Sequence, residues 1–358
     1  MKLRKGKISI LSLLIITAIT ILLMVLELSS KSKVKSEYFD EKIEAAELTL
    51  QSFKAIKETV DSLNIPIDRI NDPNETGLIG LQYSPITTER GDLNAKLTST
   101  NPNFAALIVQ LLRKAGAKKD DLVAVSFTGS LPGMNIAVLS AIKTLQLMPI
   151  IITSVCSSMW GANYPQFTYL DMEQVLNLKG LIEFRTAVAS IGGEDDIGRG
   201  LSPEGRENIK AAIARNNIQI LEIENLDDAI NKRIEIYNNM GKVKLLINVD
   251  EQTTTLTGPD VGSGFIKPRQ IKFGRGIVAQ FSQSGIPVIN LIDINNLAER
   301  FKLPVAPIPL PGIGKGNLYH EYRYPVGQAI ISIVILFIIL FIVLRYDIDY
   351  YLKRRKND

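Results

Sequence analysis

The chain has 358 residues, with 41 Lys and Arg against 37 Asp and Glu, one histidine and one cysteine. A single cysteine, Cys156, excludes an internal disulfide, and with His320 as the single histidine a Cys/His zinc site cannot be built within one chain. The net charge of +4 comes from the two short tails (Lys2, Arg4, Lys5, Lys7, Arg345, Lys353, Arg354, Arg355 and Lys356), so the basic balance is no signature of nucleic acid.

Ile8 to Leu28 is apolar apart from Ser, Thr and Glu27 at its outer edge. At one residue per 1.5 Å it spans roughly 30 Å, a bilayer core, and backbone in lipid satisfies its own hydrogen bonds only as a helix. The alternative is a cleaved signal peptide, but the run is longer than the usual apolar core of one, and Ser29 to Lys33 offer no A-x-A-like site. Glu37 to Leu63 follows with Phe39, Ile43, Ala46, Leu50, Phe53, Ile56, Val60 and Leu63 at three- and four-residue spacing, an amphipathic helix that Asn64 and Pro66 end. It reads as a membrane-proximal helix that lifts the domain off the bilayer or packs on it, and with its linker it covers residues 29–77.

Strands and helices then alternate. Strands are predicted at Leu78–Gln82, Leu122–Phe127, Pro149–Val155, Ile218–Ile223, Lys244–Val249 and Val288–Ile292. Helices are predicted from Asn101-Pro102 to Gly116, at Gly133–Leu147, Leu170–Leu178, from Ser202-Pro203-Glu204 to Asn216, at Asp227–Met240, Gly274–Gly285 and Asn295–Phe301. Continuous β-branched runs between helices predict an α/β fold, a mostly parallel sheet with helices on both faces, over residues 78–303. Pro304 to Gly316, rich in Pro and Gly, begins a connector over residues 304–325. Val326 to Leu344 is uncharged and long enough for a second transmembrane helix, with Tyr346, Tyr350 and Tyr351 where an interfacial belt would lie. Lys and Arg outside both spans predict that tails 1–7 and 345–358 are cytoplasmic and the central domain extracytoplasmic in a two-pass bacterial membrane protein.

Three loops carry candidate chemistry. Val123 to Asn135 runs strand, Gly/Ser/Thr loop, helix, and ligands of open α/β sheets bind outside the carboxyl ends of strands. Ser126, Thr128, Gly129, Ser130, Gly133 and Asn135 either hold an anion at the helix start or only shape and cap a tight turn. The loop is neither a P-loop nor a nucleophile elbow, since Thr128 and Pro132 flank Ser130 where glycines would be needed. Past the next strand lie Ser157, Ser158, Trp160 and Asn163, with Trp160 either a packing residue or a platform for a ligand. The third, Ala189 to Gly200, has Gly192, Gly193, Asp195 and Asp196, suited to a cation or amine or simply a solvated acidic turn. Asp250 and Glu251 close a further strand, followed by Thr253 to Thr255; Thr87 to Arg90 form a polar loop.

The runs TSTNPNFAALIVQLL, VSFTGSLPGMNIAVL, SVCSSMWGANYPQFTYLDME and ASIGGEDDIGRGLSPEGR, with an anchor at each end, resemble the poly-gamma-glutamate system protein family. The resemblance covers about Leu78 to Tyr324; at Asp250, Glu251 and Gln252 the chain departs from the small residues expected there. It implies a part in making, exporting or anchoring γ-linked polyglutamate at a bacterial envelope, with polyglutamate and the membrane subunits of a polyglutamate synthase as partners; the two spans add the lipid bilayer, and no cofactor or metal is expected. It implies no catalytic residue. Three roles follow: an accessory subunit that binds polymer through backbone N–H groups and Lys96, Arg90 or Arg199; an envelope amide hydrolase or transferase acting on polyglutamate or peptidoglycan; or a non-catalytic scaffold for the synthase subunits.

Overall fold

A computed structural model of the chain describes residues 10–250, 255 and 261–346. The basic tails 1–7 and 347–358, with Tyr350 and Tyr351, and the Glu251, Thr253 and Thr254 part of the strand-end loop lie outside the described residues. The chain divides into two units, one of Glu37–Tyr319 and one of the two ends, Met1–Ser36 with His320–Asp358.

The unit of the two ends contains α1 (Ile10–Ser29), β1 (Ser32–Lys35), β11 (His320–Arg323) and α11 (Val326–Arg345). Strands β1 and β11 pair antiparallel, Ser32 opposite Arg323 and Lys35 opposite His320, so the two long helices leave one short ribbon. Both helices are long and apolar enough to cross a membrane. Their large side chains point outward: Ile10, Leu14, Val326 and Phe337 are all exposed, and Val343 is the one residue of α11 that is buried. A core helix of a soluble protein shows the opposite pattern.

The central unit is built on a seven-stranded sheet in the order β7-β6-β3-β2-β8-β10-β9: Gln219–Ile220, Val188–Ser190, Met148–Ser154, Leu122–Thr128, Leu245–Asn248, Val288–Asn290 and Gly264–Ile266. All neighbours are parallel except β9, which closes one edge antiparallel to β10. The alternation of side chains gives the central strands two buried faces. From β2, Val123, Val125 and Phe127 point into one apolar layer with α4 (Asn103–Lys114) and α5 (Pro132–Thr144), while Ala124 points into another with α8 (Leu226–Asn239) and α9 (Ile277–Gln283). Helix α7 (Pro203–Arg215) packs Ile209, Ala212 and Ile213 with Val155 and Ala189 in a third cluster. This is the mixed α/β fold with a mostly parallel sheet that the sequence predicts.

Several boundaries move. Of the two roles open to the amphipathic helix α2 (Phe39–Ser62), it packs on the domain: Ala45, Phe53, Ile56 and Val60 are buried in the largest core cluster, and α2 packs on α4, α5 and α6 (Tyr169–Leu178). The central unit therefore begins at Glu37 rather than at Leu78, and it extends through the Pro/Gly-rich connector to Tyr319. Leu78–Gln82 is not a strand. Its backbone is held instead by Trp160, through Gly80 N to Trp160 O (3.2 Å) and Trp160 N to Leu81 O (2.8 Å). Strand β7 keeps two of the residues expected at Ile218–Ile223. Where local capping chemistry is explicit, the boundaries hold: Ser202 accepts from Gly205 N with Pro203 next to it at the start of α7, and Thr168 with Asp171 forms a capping box on α6.

Candidate functional site

The sheet changes direction of progress at β2. From β2 the chain passes through α5 to β3 on one side, whereas β8, on the other side of β2, leads on to β10. A crevice therefore opens between the carboxyl ends of β2 and β8, where open α/β sheets place their ligands. A cleft of about 280 Å³ lies there, lined among others by Arg90, Lys96, Thr128, Ser130, Ser158 and Asp250.

Two loops form its wall by close approach. Gly129 N donates to Ser154 O at 2.8 Å, and a Cβ on Gly129 would lie 2.5 Å from Val155 O and 2.7 Å from Cys156 O, so only glycine fits. Ser130 Oγ accepts from Ser158 N at 3.0 Å and Ser130 N donates to Thr128 Oγ1 at 3.2 Å. Asn135, one turn into α5, donates its Nδ2 to Thr128 O at 2.7 Å and so ties the loop to the helix. Gly133 lets α5 approach Ser99, whose carbonyl oxygen would sit 2.7 Å from a Cβ there. Ser126, fully buried, lies behind this wall in β2.

A short helix absent from the sequence prediction supplies the opposite wall. Asp92 caps α3 (Leu93–Ser99) by accepting from Asn94 N at 2.9 Å, and α3 carries Lys96 into the cleft. Lys96 Nζ donates to Ser130 O at 2.5 Å and to Ser158 Oγ at 2.7 Å. The polar loop before it, Thr87 to Arg90, is pinned along the Ser157–Trp160 segment: Thr88 N donates to Ser157 O and Met159 N to Glu89 O. Glu89 and Arg90 thereby form part of the rim. They also line a second, shallower groove with Tyr83, Thr88, Met159 and Trp160. Trp160 is half-buried with φ of 60°, a left-handed conformation held by its two backbone bonds to the Gly80–Leu81 segment.

The remaining predicted residues are placed elsewhere. Asn163 is fully buried and structural, its amide bridging Leu81 N, Leu81 O and Thr87 Oγ1. Ser157 donates to Ser158 O, inside its own loop. Gly192 and Gly193, with φ of 84° and 77°, shape the Ala189–Gly200 turn, in which Asp195 pairs with Arg199 at the surface (2.8 Å). Asp196 is not a solvated carboxylate or a site for a free cation. It is buried against Arg233 of α8, which reaches its Oδ2 through Nη2 at 2.6 Å and Nε at 3.1 Å, and Ser190 Oγ donates to Asp196 Oδ1 at 2.6 Å. Arg233 Nη2 also donates to Ser190 Oγ and Ser154 Oγ. Ser154 Oγ lies 3.4 Å from Asp250 Oδ2, so this buried cluster backs onto the cleft.

Arg233 and the role of α3 escape the sequence reading. Arg233 stands on the Ile230–Tyr237 stripe of α8, and a charge on an apolar stripe is the signal that marks it. Away from the cleft, Glu173 is fully buried and receives Thr186 N and Oγ1; burial pushes its carboxyl up to about 7. Among the described residues no group of three His, Cys, Asp or Glu is placed to hold a metal ion. No family model, curated protein or solved structure matches the chain.

Proposed function

We propose that the chain is a two-pass protein of a bacterial cell membrane, with both termini cytoplasmic and its α/β unit outside, that serves polyglutamate synthesis, export or surface retention by holding γ-linked glutamyl chains in the β2–β8 cleft. The observation that carries this reading is the mixed charge of the cleft. Arg90 and Lys96 line it together with Glu89, Asp92 and Asp250. A site of one sign suits a simple ion; a site of both signs suits a ligand that bears carboxylates and an ammonium. Every unit of a γ-linked glutamyl chain keeps a free α-carboxylate, and its first unit keeps a free amine. The groove beside Trp160 shares Glu89 and Arg90 with the cleft, which gives a longer chain somewhere to continue. The resemblance to the polyglutamate family and the two exposed apolar helices support the same reading.

Binding of γ-linked glutamate oligomers to the detergent-solubilised full chain tests it, with α-linked oligomers as the control. Preferential binding of the γ-linked form that weakens at least tenfold on Arg90→Glu is expected. Equal binding of both, or binding indifferent to Arg90, overturns it. A reporter active only outside the cytoplasm, fused near Gly312, is expected to be active; a silent reporter overturns the orientation.

A further inference from the structure

The ribbon of β1 and β11 has two unlike faces. In its register Lys33 stands opposite Tyr322 and Lys35 opposite His320, and one step beyond the printed pairs of the ladder Lys31 meets Tyr324. Alternation along each strand therefore puts Lys31, Lys33, Lys35, His320, Tyr322 and Tyr324 on one side. The other side holds Ser32, Val34, Glu321 and Arg323, and there Arg323 pairs with Glu321 at 3.0 Å. The first face has three lysines and no acid among its six positions. Its lysines and both tyrosines are exposed. Lys31 Nζ lies 5.3 Å from the ring centroid of Tyr322 and 5.5 Å from that of Tyr324, so two rings hold the ammonium in place. Glu27, one turn back on α1, makes no ion pair with it: its carboxyl oxygens are buried and receive no hydrogen bond from the described residues.

We propose that this face docks the anionic headgroups of phospholipids, phosphatidylglycerol in preference to zwitterionic lipid, in the leaflet where both spans end. Lys31 lies two residues past the end of α1, and Tyr324 two residues before the start of α11. The headgroup layer is roughly 5–8 Å deep on each side of a bilayer core. A strand advances about 3.3 Å per residue, so Lys31 to Lys35 covers roughly 13 Å and the face begins inside that layer. Tyrosine suits this level, with its ring toward the acyl chains and its hydroxyl among the headgroups. The positive end of α11 begins at the same level and adds to the attraction for a phosphate. A lysine-rich face also attracts a water-borne polyanion, but the interleaved tyrosines and the place between two spans favour lipid. The inference rests on the two end helices being membrane spans. It needs neither the polyglutamate reading nor a particular side of the membrane.

The test reconstitutes the full chain in phosphatidylcholine bilayers and compares spin-labelled phosphatidylglycerol with spin-labelled phosphatidylcholine, reading the fraction of label slowed by the protein. A clear preference for phosphatidylglycerol is expected. Lys31→Gln and Lys33→Gln should each lower it by up to about fivefold, the scale of one lysine at an anionic surface, and the double variant should lower it further. Lys33→Arg should keep the preference, and high salt should weaken it. Tyr322→Leu takes one ring from Lys31 and should lower it about twofold. A photocrosslinking phosphatidylglycerol locates the contact: adducts within residues 31–35 or 320–324 are expected, and fewer in the double variant. Equal slowing of the two lipids, a preference unchanged in the double variant, or adducts confined to the basic tails overturns the proposal. So does binding of γ-linked oligomers that the double variant abolishes in a phosphatidylcholine bilayer, since the face would then serve polymer. Lipid preference that follows Lys31 and Lys33 while no oligomer binds anywhere supports the docking face and removes the polyglutamate reading alone.

Discussion

Two polar clusters sit at the carboxyl edge of one sheet, a strand apart, and they differ in what surrounds them. At β3 and β6, Arg233, Asp196, Ser154 and Ser190 are each buried to within a few per cent and bind one another. At β2 and β8, Lys96, Ser130 and Ser158 also bind one another, but they face a cleft. Composition does not separate the two, since each offers hydroxyls, a cation and a carboxylate. Closure separates them. A charge pair whose partners are all protein is a lock, and a similar set with one open side is a candidate site. The lesson is that polar residues at strand ends have to be sorted by what fills their remaining valence, because the topology that favours ligand binding at the carboxyl edge also concentrates buried polar groups there.

The largest expected effect breaks the closed cluster. Arg233→Met leaves Asp196 buried without its cation, and removal of one partner of a buried ion pair costs about 3–5 kcal/mol. Denaturant unfolding of the solubilised chain measures it. Adding Asp196→Leu to that variant should recover part of the loss, because the stranded charge goes with it, and the two losses should therefore be far from additive. A loss under about 1 kcal/mol for Arg233→Met would mean that the cluster is solvated, and the contrast with the cleft would fail.

Glu173 provides a pH-dependent version of the same point. Its folded carboxyl titrates near 7, above the ordinary value of 4.5, because burial disfavours the charge more than Thr186 supports it. Between those values the unfolded chain is ionised and the folded one is not, so stability falls as pH rises through the window and levels off above it. The whole effect is at most about 3.5 kcal/mol, from 1.36 kcal/mol per unit. Glu173→Gln should flatten the fall in melting temperature between pH 5 and pH 8 and leave the variant the more stable at the alkaline end. A profile with the same slope in both proteins would place the titration elsewhere. A smaller effect, about 1–3 kcal/mol, is expected for Gly129→Ala, whose methyl would press on the carbonyls of Val155 and Cys156. Since Ser130 and Ser158 meet across those loops at the cleft wall, binding of γ-linked oligomers should fall more steeply than stability.

How much of this was legible follows from how local each signal is. The two long apolar runs, the Val/Ile-rich β2 and β3, and the Ser-Pro-Glu start of α7 each state their structure within a few residues, and the structure keeps them. The apolar spacing of Phe39 to Val60 marks α2 as an amphipathic helix, but what its stripe packs against is set by α4, α5 and α6, which no local window shows. Strands β6 and β9, of three residues each, are defined by pairing with β3 and β10 rather than by their own sequence, and no three-residue window announces that. For the site, strand-end position alone marks the Gly129 and Trp160 loops. Only the fold could show that seven-residue α3 brings Lys96 across to Ser158, two residues 62 apart in sequence. The burial of Asp196 is not legible in its own turn because its partner, Arg233, is 37 residues away on another helix.

The smallest effect tests the comparison at its sharpest, between adjacent residues. Asp195 and Asp196 share one turn, yet Asp195 pairs with an Arg199 that is 57% exposed while Asp196 is closed in with Arg233. Water screens the first pair and pays for much of its loss, so Arg199→Ala should cost no more than about 0.2–1 kcal/mol, and less still in high salt. Asp196→Asn should cost several times that with little salt dependence. If Arg199→Ala leaves stability alone but weakens binding of γ-linked oligomers, the turn contacts polymer beyond the cleft, as the sequence suggests for Arg199. If it matches Arg233→Met in stability, exposure is the wrong criterion for separating locks from sites in this sheet.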